Sequence, residues 1–200
     1  MQEGFDFLRE TDAVFANIID TYGLPEIPKR PPGFETLSLL ILEQQVSIDS
    51  ARAVFGKLRA KVDTFEPKFL AELPDETYRE AGVSRQKTNY IKGLSLAVLN
   101  KEIDLDSLPF KPADDIRAEL IRLKGIGNWT IDVYLLFCLG AADVIPLGDI
   151  AIVNTIKELH GTHTKAEMEI LSSSWSPYRS AATFLLWHHY LRKRNRVSGY

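Results

Sequence analysis

Two stretches of this 200-residue sequence combine residue types and spacings suited to chemistry. The first is Leu123-Lys124-Gly125-Ile126-Gly127-Asn128-Trp129-Thr130. Apolar helical spacing precedes and follows it, and two glycines one residue apart allow a hairpin tight enough to need their backbone freedom. The helix after such a turn opens with amide groups that have no intrahelical acceptor, an arrangement that holds anions such as phosphate. An ordinary glycine-stopped turn between two helices fits the same residues. The second stretch, Val144-Ile145-Pro146-Leu147-Gly148-Asp149-Ile150, brackets a turn with Pro and Gly and sets Asp149 where a helix begins. Asp149 is a natural helix cap. It is also an anion at a helix end that favours negative charge, and it could stabilise positive charge developing on a sugar.

The elements that must position these residues read as helices throughout, because strict apolar alternation is scarce and apolar residues recur at helical spacing. A first helix carries Val14, Phe15, Ile18, Ile19 and Tyr22 after a cap at Thr11 and stops at Gly23. Pro25, Pro28, Pro31 and Pro32 make 24–34 an extended connector. Residues 37–48 are too apolar all round for a surface helix and are predicted to be central, ending in the polar Gln44 and Gln45. Shorter helices are predicted over 51–62, 67–73 and 75–81. Ser84 caps a helix running to about Leu99, with Ile91, Leu94, Leu96 and Val98 available to the core. Pro112 opens the next helix, with Leu120 and Leu123 inward. Helices over 129–138, 150–159, 165–171 and 178–194 complete an all-α pattern, the helix at 150 facing inward through Ile150, Val153, Ile156 and Leu159.

Composition bounds the reading. With 45% hydrophobic residues and ordinary Gly and Pro content, the chain can bury a core and is not of low complexity. The lone Cys138 excludes an intrachain disulfide, a Cys-rich zinc site and a Cys-ligated iron–sulfur cluster, and suits a reducing compartment. The acidic N-terminal residues Glu3, Asp6, Glu10 and Asp12 are unlike a targeting peptide, and the longest apolar run, 133–142, is too short to span a bilayer. A cytoplasmic protein with no membrane partner is expected, nucleoid-associated in a bacterium. The formal charge of −3 argues at first against a polyanionic partner. It averages over two acid-free stretches, however: 84–101 with Arg85, Lys87, Lys92 and Lys101, and 178–200 with Arg179, Arg192, Lys193, Arg194 and Arg196. These are either solvated faces or strips of phosphate contacts.

Taken in order, several segments resemble the helix-hairpin-helix DNA glycosylase superfamily, nearest to its AlkA-type 3-methyladenine DNA glycosylase II subgroup. They are Leu42-Glu43-Gln44-Gln45-Val46-Ser47, Gly82-Val83-Ser84-Arg85-Gln86-Lys87, the hairpin at 123–130, Ile145-Pro146-Leu147-Gly148-Asp149, and Trp175-Ser176-Pro177-Tyr178-Arg179. The resemblance implies an all-α fold of two helical lobes with a central cleft. The central lobe would be 35–141, with its hairpin at about 120–138, and the second lobe 1–34 plus 142–200, carrying the catalytic Asp. It implies a monofunctional enzyme of base excision repair that flips alkylated bases, such as 3-methyladenine or 7-methylguanine, out of double-stranded DNA and hydrolyses their N-glycosidic bond, acting as a monomer.

Residue by residue, the resemblance makes Asp149 the catalytic carboxylate and puts Trp129, Trp187, Gln44 and Tyr134 around the base. Cationic purines suit aromatic faces. Trp129 stands where bifunctional relatives carry a Schiff-base lysine, so no lyase step is expected. Gln45 would enter the gap left by the flipped base. Lys124, Gly125, Gly127, Asn128, Thr130, Ser84, Arg85, Lys87 and Arg179 would contact the DNA backbone. No cofactor is required, although the carbonyls of Ile121, Leu123 and Ile126 could hold a structural Na⁺ or K⁺. Among the departures from the family pattern, Lys124 replaces a proline, Glu43 replaces a small residue and could acidify the cleft mouth, and Val133 replaces an aromatic. A non-catalytic helix-hairpin-helix protein that binds DNA or recognises damage is the alternative, although a carboxylate near phosphates does not help binding.

Overall fold

A computed structural model describes residues 1–196; the end of the basic C-terminal stretch, 197–200, lies outside them. Among the described residues twelve α-helices and one 3-10 helix form the chain and there is no strand. The helices sort into two compact units: one of residues 1–29 and 135–200, the other of residues 30–134.

In the first unit, α1 (Gln2–Thr11) is a helix that the acidic N-terminal residues conceal. Gly4, Phe5 and Leu8 form its buried stripe, and Gly4 lies against Ala181 and Tyr178 with no room for a Cβ. Thr11 is the last residue of α1 and does not cap the next helix, because its hydroxyl donates back to the Phe7 carbonyl at 2.8 Å. The cap of α2 (Ala13–Tyr22) is Asp12, which accepts from the Val14 amide at 2.9 Å. Asp12 Oδ2 also pairs with His160 Nε2 and accepts from Trp175 Nε1, at 3.2 and 3.3 Å. One carboxylate thus joins the start of α2 to the end of α10 (Ile150–His160) and to the segment after α11 (Lys165–Ser173). The packing centre is α12 (Arg179–Arg192), buried at every position from Ser180 to His188. Truncating Leu185 or Leu186, each 0% exposed, to Ala would cost about 2 to 5 kcal/mol.

The second unit contains α3 (Phe34–Glu43), α4 (Ile48–Arg59), α5 (Pro67–Glu72), α6 (Asp75–Glu80), α7 (Arg85–Leu99), a 3-10 turn at Leu105–Phe110, α8 (Ala113–Leu120) and most of α9 (Asn128–Phe137). The single helix expected over 37–48 is two helices. The backbone leaves the helical region at Gln44 (ψ 126°), turns left-handed at Gln45 (φ 59°) and restarts at Ser47, whose hydroxyl accepts from the Ser50 amide at 3.2 Å. Two faces also differ from expectation. Leu96 is 50% exposed because it lies two residues on from Leu94, on the other side of α7, while Ser95 takes the buried position. Ile150 is 70% exposed because the buried face of α10 runs through Ile152, Thr155 and Ile156.

Candidate functional site

The sequence-predicted site residues are divided between the units. Asp149 and Trp187 meet in the first. Asp149 caps α10, its Oδ1 accepting from the Ala151 amide at 2.9 Å and the Ile152 amide at 3.1 Å. Trp187 Nε1 donates to the same oxygen at 3.3 Å, and its indole stacks on Phe137 with ring centres 5.6 Å apart. Three donors converging on one oxygen fix the carboxylate in orientation.

The turn that delivers Asp149 is stitched to α12. The Val144 amide donates to Ser180 Oγ at 3.0 Å, the Val144 carbonyl accepts from Thr183 Oγ1 at 3.0 Å, and the Ala142 carbonyl accepts from the Ser180 amide at 3.1 Å. Thr183 lies one helical turn before Trp187. The same face of α12 therefore sets both the loop entering Asp149 and the indole that touches it. Asp143, just before this loop, receives both Arg179 Nε and Nη2 at 2.7 and 2.8 Å, together with the Ser176 hydroxyl. Burial raises the Asp143 pKa most strongly, but these hydrogen bonds and the Arg179 charge outweigh it and hold the carboxyl below its ordinary value. Arg179, expected on the DNA backbone, has its guanidinium held by the half-buried Asp143 carboxylate.

In the second unit the hairpin runs from α8 to α9. Gly125 has φ 92°, and a Cβ there would collide with the Tyr90 ring. The ring of Tyr90 is thus the floor on which the turn rests, and only glycine fits both the dihedral angle and the space. The Gln44 amide nitrogen donates to the Gly125 carbonyl at 2.8 Å and to Thr130 Oγ1 at 3.0 Å, tying the end of α3 to both sides of the turn. Lys124, Gly127 and Asn128 are exposed and Trp129 is half-buried on the first turn of α9. The first bond within α9 runs from the Ile131 amide to the Gly127 carbonyl, so the preceding amides have no acceptor inside the helix. Arg117 of α8 braces the far side, donating to Asp132 at 2.5 Å and to Asn128 Oδ1 at 3.4 Å. Burial raises the Asp132 pKa, and Arg117 only partly offsets it.

Several expectations are corrected here. Thr130 is 1% exposed with its hydroxyl accepting from Gln44, so its side chain is not offered to DNA. Tyr134 is fully buried and its hydroxyl accepts from the Gly33 amide at 3.0 Å, so it offers no face to a base. Lys87 donates to the Leu42 and Gln44 carbonyls and is not an outward-facing cation. Ser84 spends its hydroxyl capping α7, while Arg85 is exposed as expected. Glu43 does not acidify a surface, because Arg30 grips it with two bonds of 2.9 and 3.0 Å and both side chains are almost wholly buried. Gln45 is exposed.

The supporting residues Asp143, Ser180, Thr183, Arg117, Asp132 and Arg30 were not singled out from the sequence. The signal that could have found Ser180 and Thr183 is two hydroxyls three apart in an otherwise apolar helix. Arg117 and Asp132 left no such trace. No group of His, Cys, Asp or Glu able to hold a metal ion occurs among the described residues, and no helix among them is long and apolar enough to cross a membrane.

Residues 39–180 match the HhH-GPD superfamily base excision DNA repair protein family. The chain belongs to this superfamily. Among HhH-GPD relatives, YfjP of Bacillus subtilis is 32% identical over 74% of this chain and 55% of its own length, so the chain spans little more than half of that protein. The alkylbase DNA glycosidase-like protein mag2 of Schizosaccharomyces pombe is also 32% identical, over 80% of this chain and 78% of its own. The crystal structure of a DNA-3-methyladenine glycosidase from Bacillus halodurans superposes with a TM-score of 0.79 at 29% identity, covering 96% of this chain and 90% of that one. The HhH-GPD fold is thereby established for the helices described above.

Proposed function

We propose that this HhH-GPD protein is a monofunctional DNA glycosylase that flips alkylated bases, of the 3-methyladenine and 7-methylguanine kind, out of duplex DNA and hydrolyses their N-glycosidic bond. The observation that carries the reading is Asp149, held by two amides of α10 and the Trp187 indole through a single oxygen. Cleaving the bond moves positive charge from the base onto the deoxyribose as oxocarbenium character, and a fixed anion beside the sugar stabilises that charge more than it stabilises the uncharged sugar of the ground state. Water adds to the anomeric carbon as the base departs, and its proton passes to a carboxylate oxygen or to solvent. A cationic methylated purine leaves as a neutral base, so no separate general acid is needed. The names of the Bacillus halodurans and fission yeast relatives support this substrate class.

Trp129 supports the absence of a lyase step, since an indole cannot form the imine that a lysine would form with the sugar. The opening amides of α9, with Lys124 beside them, suit a backbone phosphate. The carbonyls of Ile121, Leu123 and Ile126 belong to one short turn and would hold a monovalent cation there, adding positive charge next to that phosphate.

The deciding experiment measures release of 3-methyladenine and 7-methylguanine from methylated duplex DNA under single turnover. Wild-type protein is expected to release both and to leave alkali-labile abasic sites without forming a borohydride-trappable adduct. Asp149→Asn is expected to slow release by 100-fold or more, on the order of the loss of a charge-stabilising group. Equal rates for the two proteins would sink the mechanism. Tight binding to abasic-site DNA with no excision of any lesion would favour the binding-only alternative.

A further inference from the structure

The short segment between α3 and α4 has an unusual set of anchors. Gln45 holds a left-handed backbone (φ 59°), a region that non-glycine residues enter at an energetic cost, and it is exposed, as is Val46 beside it. Such a conformation persists when its surroundings over-determine it. Three successive residues before it are each tied down. Lys87 Nζ, reaching over from the first turn of α7, donates to the Leu42 and Gln44 carbonyls, both at 2.8 Å. Arg30 holds Glu43 by a two-bond ion pair. The Gln44 side chain is fastened to Gly125 and Thr130 of the hairpin. After Gln45, Ser47 caps α4.

The last carbonyls of a helix have no intrahelical donors, and here one ammonium supplies two of them. Burial lowers the Lys87 pKa, in keeping with a cation withdrawn from water onto carbonyl oxygens. Lys87 is therefore spent inside the unit, although it lies in an acid-free segment that reads from sequence as a phosphate-binding strip.

We infer that Lys87 is a positioning residue for Gln45: by clamping the end of α3 it holds the exposed Gln45 side chain in the place from which it enters the duplex gap, and it does not itself bind DNA phosphate. The inference rests on the glycosylase reading given above. Lys87 acts through the backbone at Leu42 and Gln44, and its removal leaves both carbonyls without a donor and lets Gln45 relax from the left-handed region.

A double-mutant cycle separates the two roles. Excision of 7-methylguanine under single turnover and affinity for a duplex with an abasic analogue, titrated over potassium chloride, are measured for wild type, K87M, Q45A and K87M/Q45A. If Lys87 positions Gln45, K87M slows excision by about tenfold, as loss of a donor from two carbonyls would. The logarithmic salt slope stays that of wild type, and K87M adds almost nothing once Gln45 is Ala. If Lys87 binds phosphate, the slope becomes shallower by about 1 and the effect multiplies with that of Q45A. That result overturns the proposal, and so does K87M excising at the wild-type rate. Thermal melts locate each variant's folded range. Where K87M does not fold at the assay temperature, K87Q, which removes the charge and keeps a donor, is read by its salt slope: a wild-type slope is expected if Lys87 only clamps α3, and a slope shallower by about 1 overturns the proposal. A wild-type protein that excises no lesion would fail the glycosylase reading instead, which the wild-type arm reports independently of Lys87.

Discussion

Asp149 illustrates how a residue's role is set by what donates to it. As a helix cap it would need only the Ala151 and Ile152 amides; the Trp187 indole is a third donor that no cap requires. Trp187→Phe keeps a ring against Phe137 and removes only that donor. Excision is expected to slow by about tenfold, the scale of one hydrogen bond to a charged group, with affinity for undamaged duplex unchanged. Single-turnover rates beside binding titrations check this, and an unaltered rate would reduce the indole to packing. One residue further on, burial pushes the His188 imidazole below its ordinary value. The Tyr22 carbonyl pulls the other way, and Arg192 and His189 add to the lowering. The unfolded chain then takes up this proton first, so the stability contributed by neutral His188 is full above about pH 6.5 and is lost as pH falls through the lower folded value. Between pH 7 and pH 5 the melting temperature of wild type should fall more steeply than that of His188→Gln, which can still donate to Tyr22. Parallel curves would show that His188 does not titrate in this window.

The hairpin is where local pattern and packing agree most closely. The Gly-x-Gly spacing announces a tight turn, yet the reason Gly125 must be glycine is tertiary: the Tyr90 ring of α7 fills the place of a side chain. Gly125→Ala therefore combines a disfavoured dihedral with a contact that backbone and ring cannot both relieve. Loss of about 2 to 4 kcal/mol of stability is expected from strain and overpacking together. Tyr90→Ala should recover part of it by opening the space, which chemical denaturation of the single and double variants would show. Gly127, where an added methyl group would meet nothing within 4 Å, should tolerate Ala with far less loss. Failure of Tyr90→Ala to recover any stability would mean that the dihedral alone matters. The stitching of the Val144 turn to Ser180 and Thr183 follows the same logic: an apolar helix carries two hydroxyls because a loop without secondary structure needs partners for its backbone.

Across the whole chain, net charge conceals what individual cations do. Of the basic residues in the two acid-free stretches, Lys87 and Arg179 bond groups of the protein itself, whereas Arg85, Lys101, Arg192, Arg194 and Arg196 are exposed, as is Lys124 at the hairpin. DNA affinity should weaken with salt, but less steeply than the number of cations in those stretches suggests, because Lys87 and Arg179 are held by other groups and helix-end amides hold phosphate without releasing additional counterions. Lys124→Ala should reduce the logarithmic salt slope by about 1, and Arg179→Ala should leave it unchanged while lowering the melting temperature. A shallower slope in Arg179→Ala would return that residue to the DNA surface.

The all-helical pattern, the hairpin, and the placing of Asp149 at a helix start follow from spacing, glycine and proline alone, since helix periodicity and turn chemistry are local properties of the chain. The break at Gln44 and the register of α10 do not, because apolar residues run through both and periodicity cannot choose among near-equivalent faces. Nor does the fate of the polar residues. A lysine in a basic strip and an arginine after a helix-breaking proline read as surface charge until the carbonyls of Leu42 and Gln44, or the carboxylate of Asp143, are seen to take them. Partners that lie 36 to 45 residues apart in the chain are chosen by packing, and they decide which charges remain for a ligand.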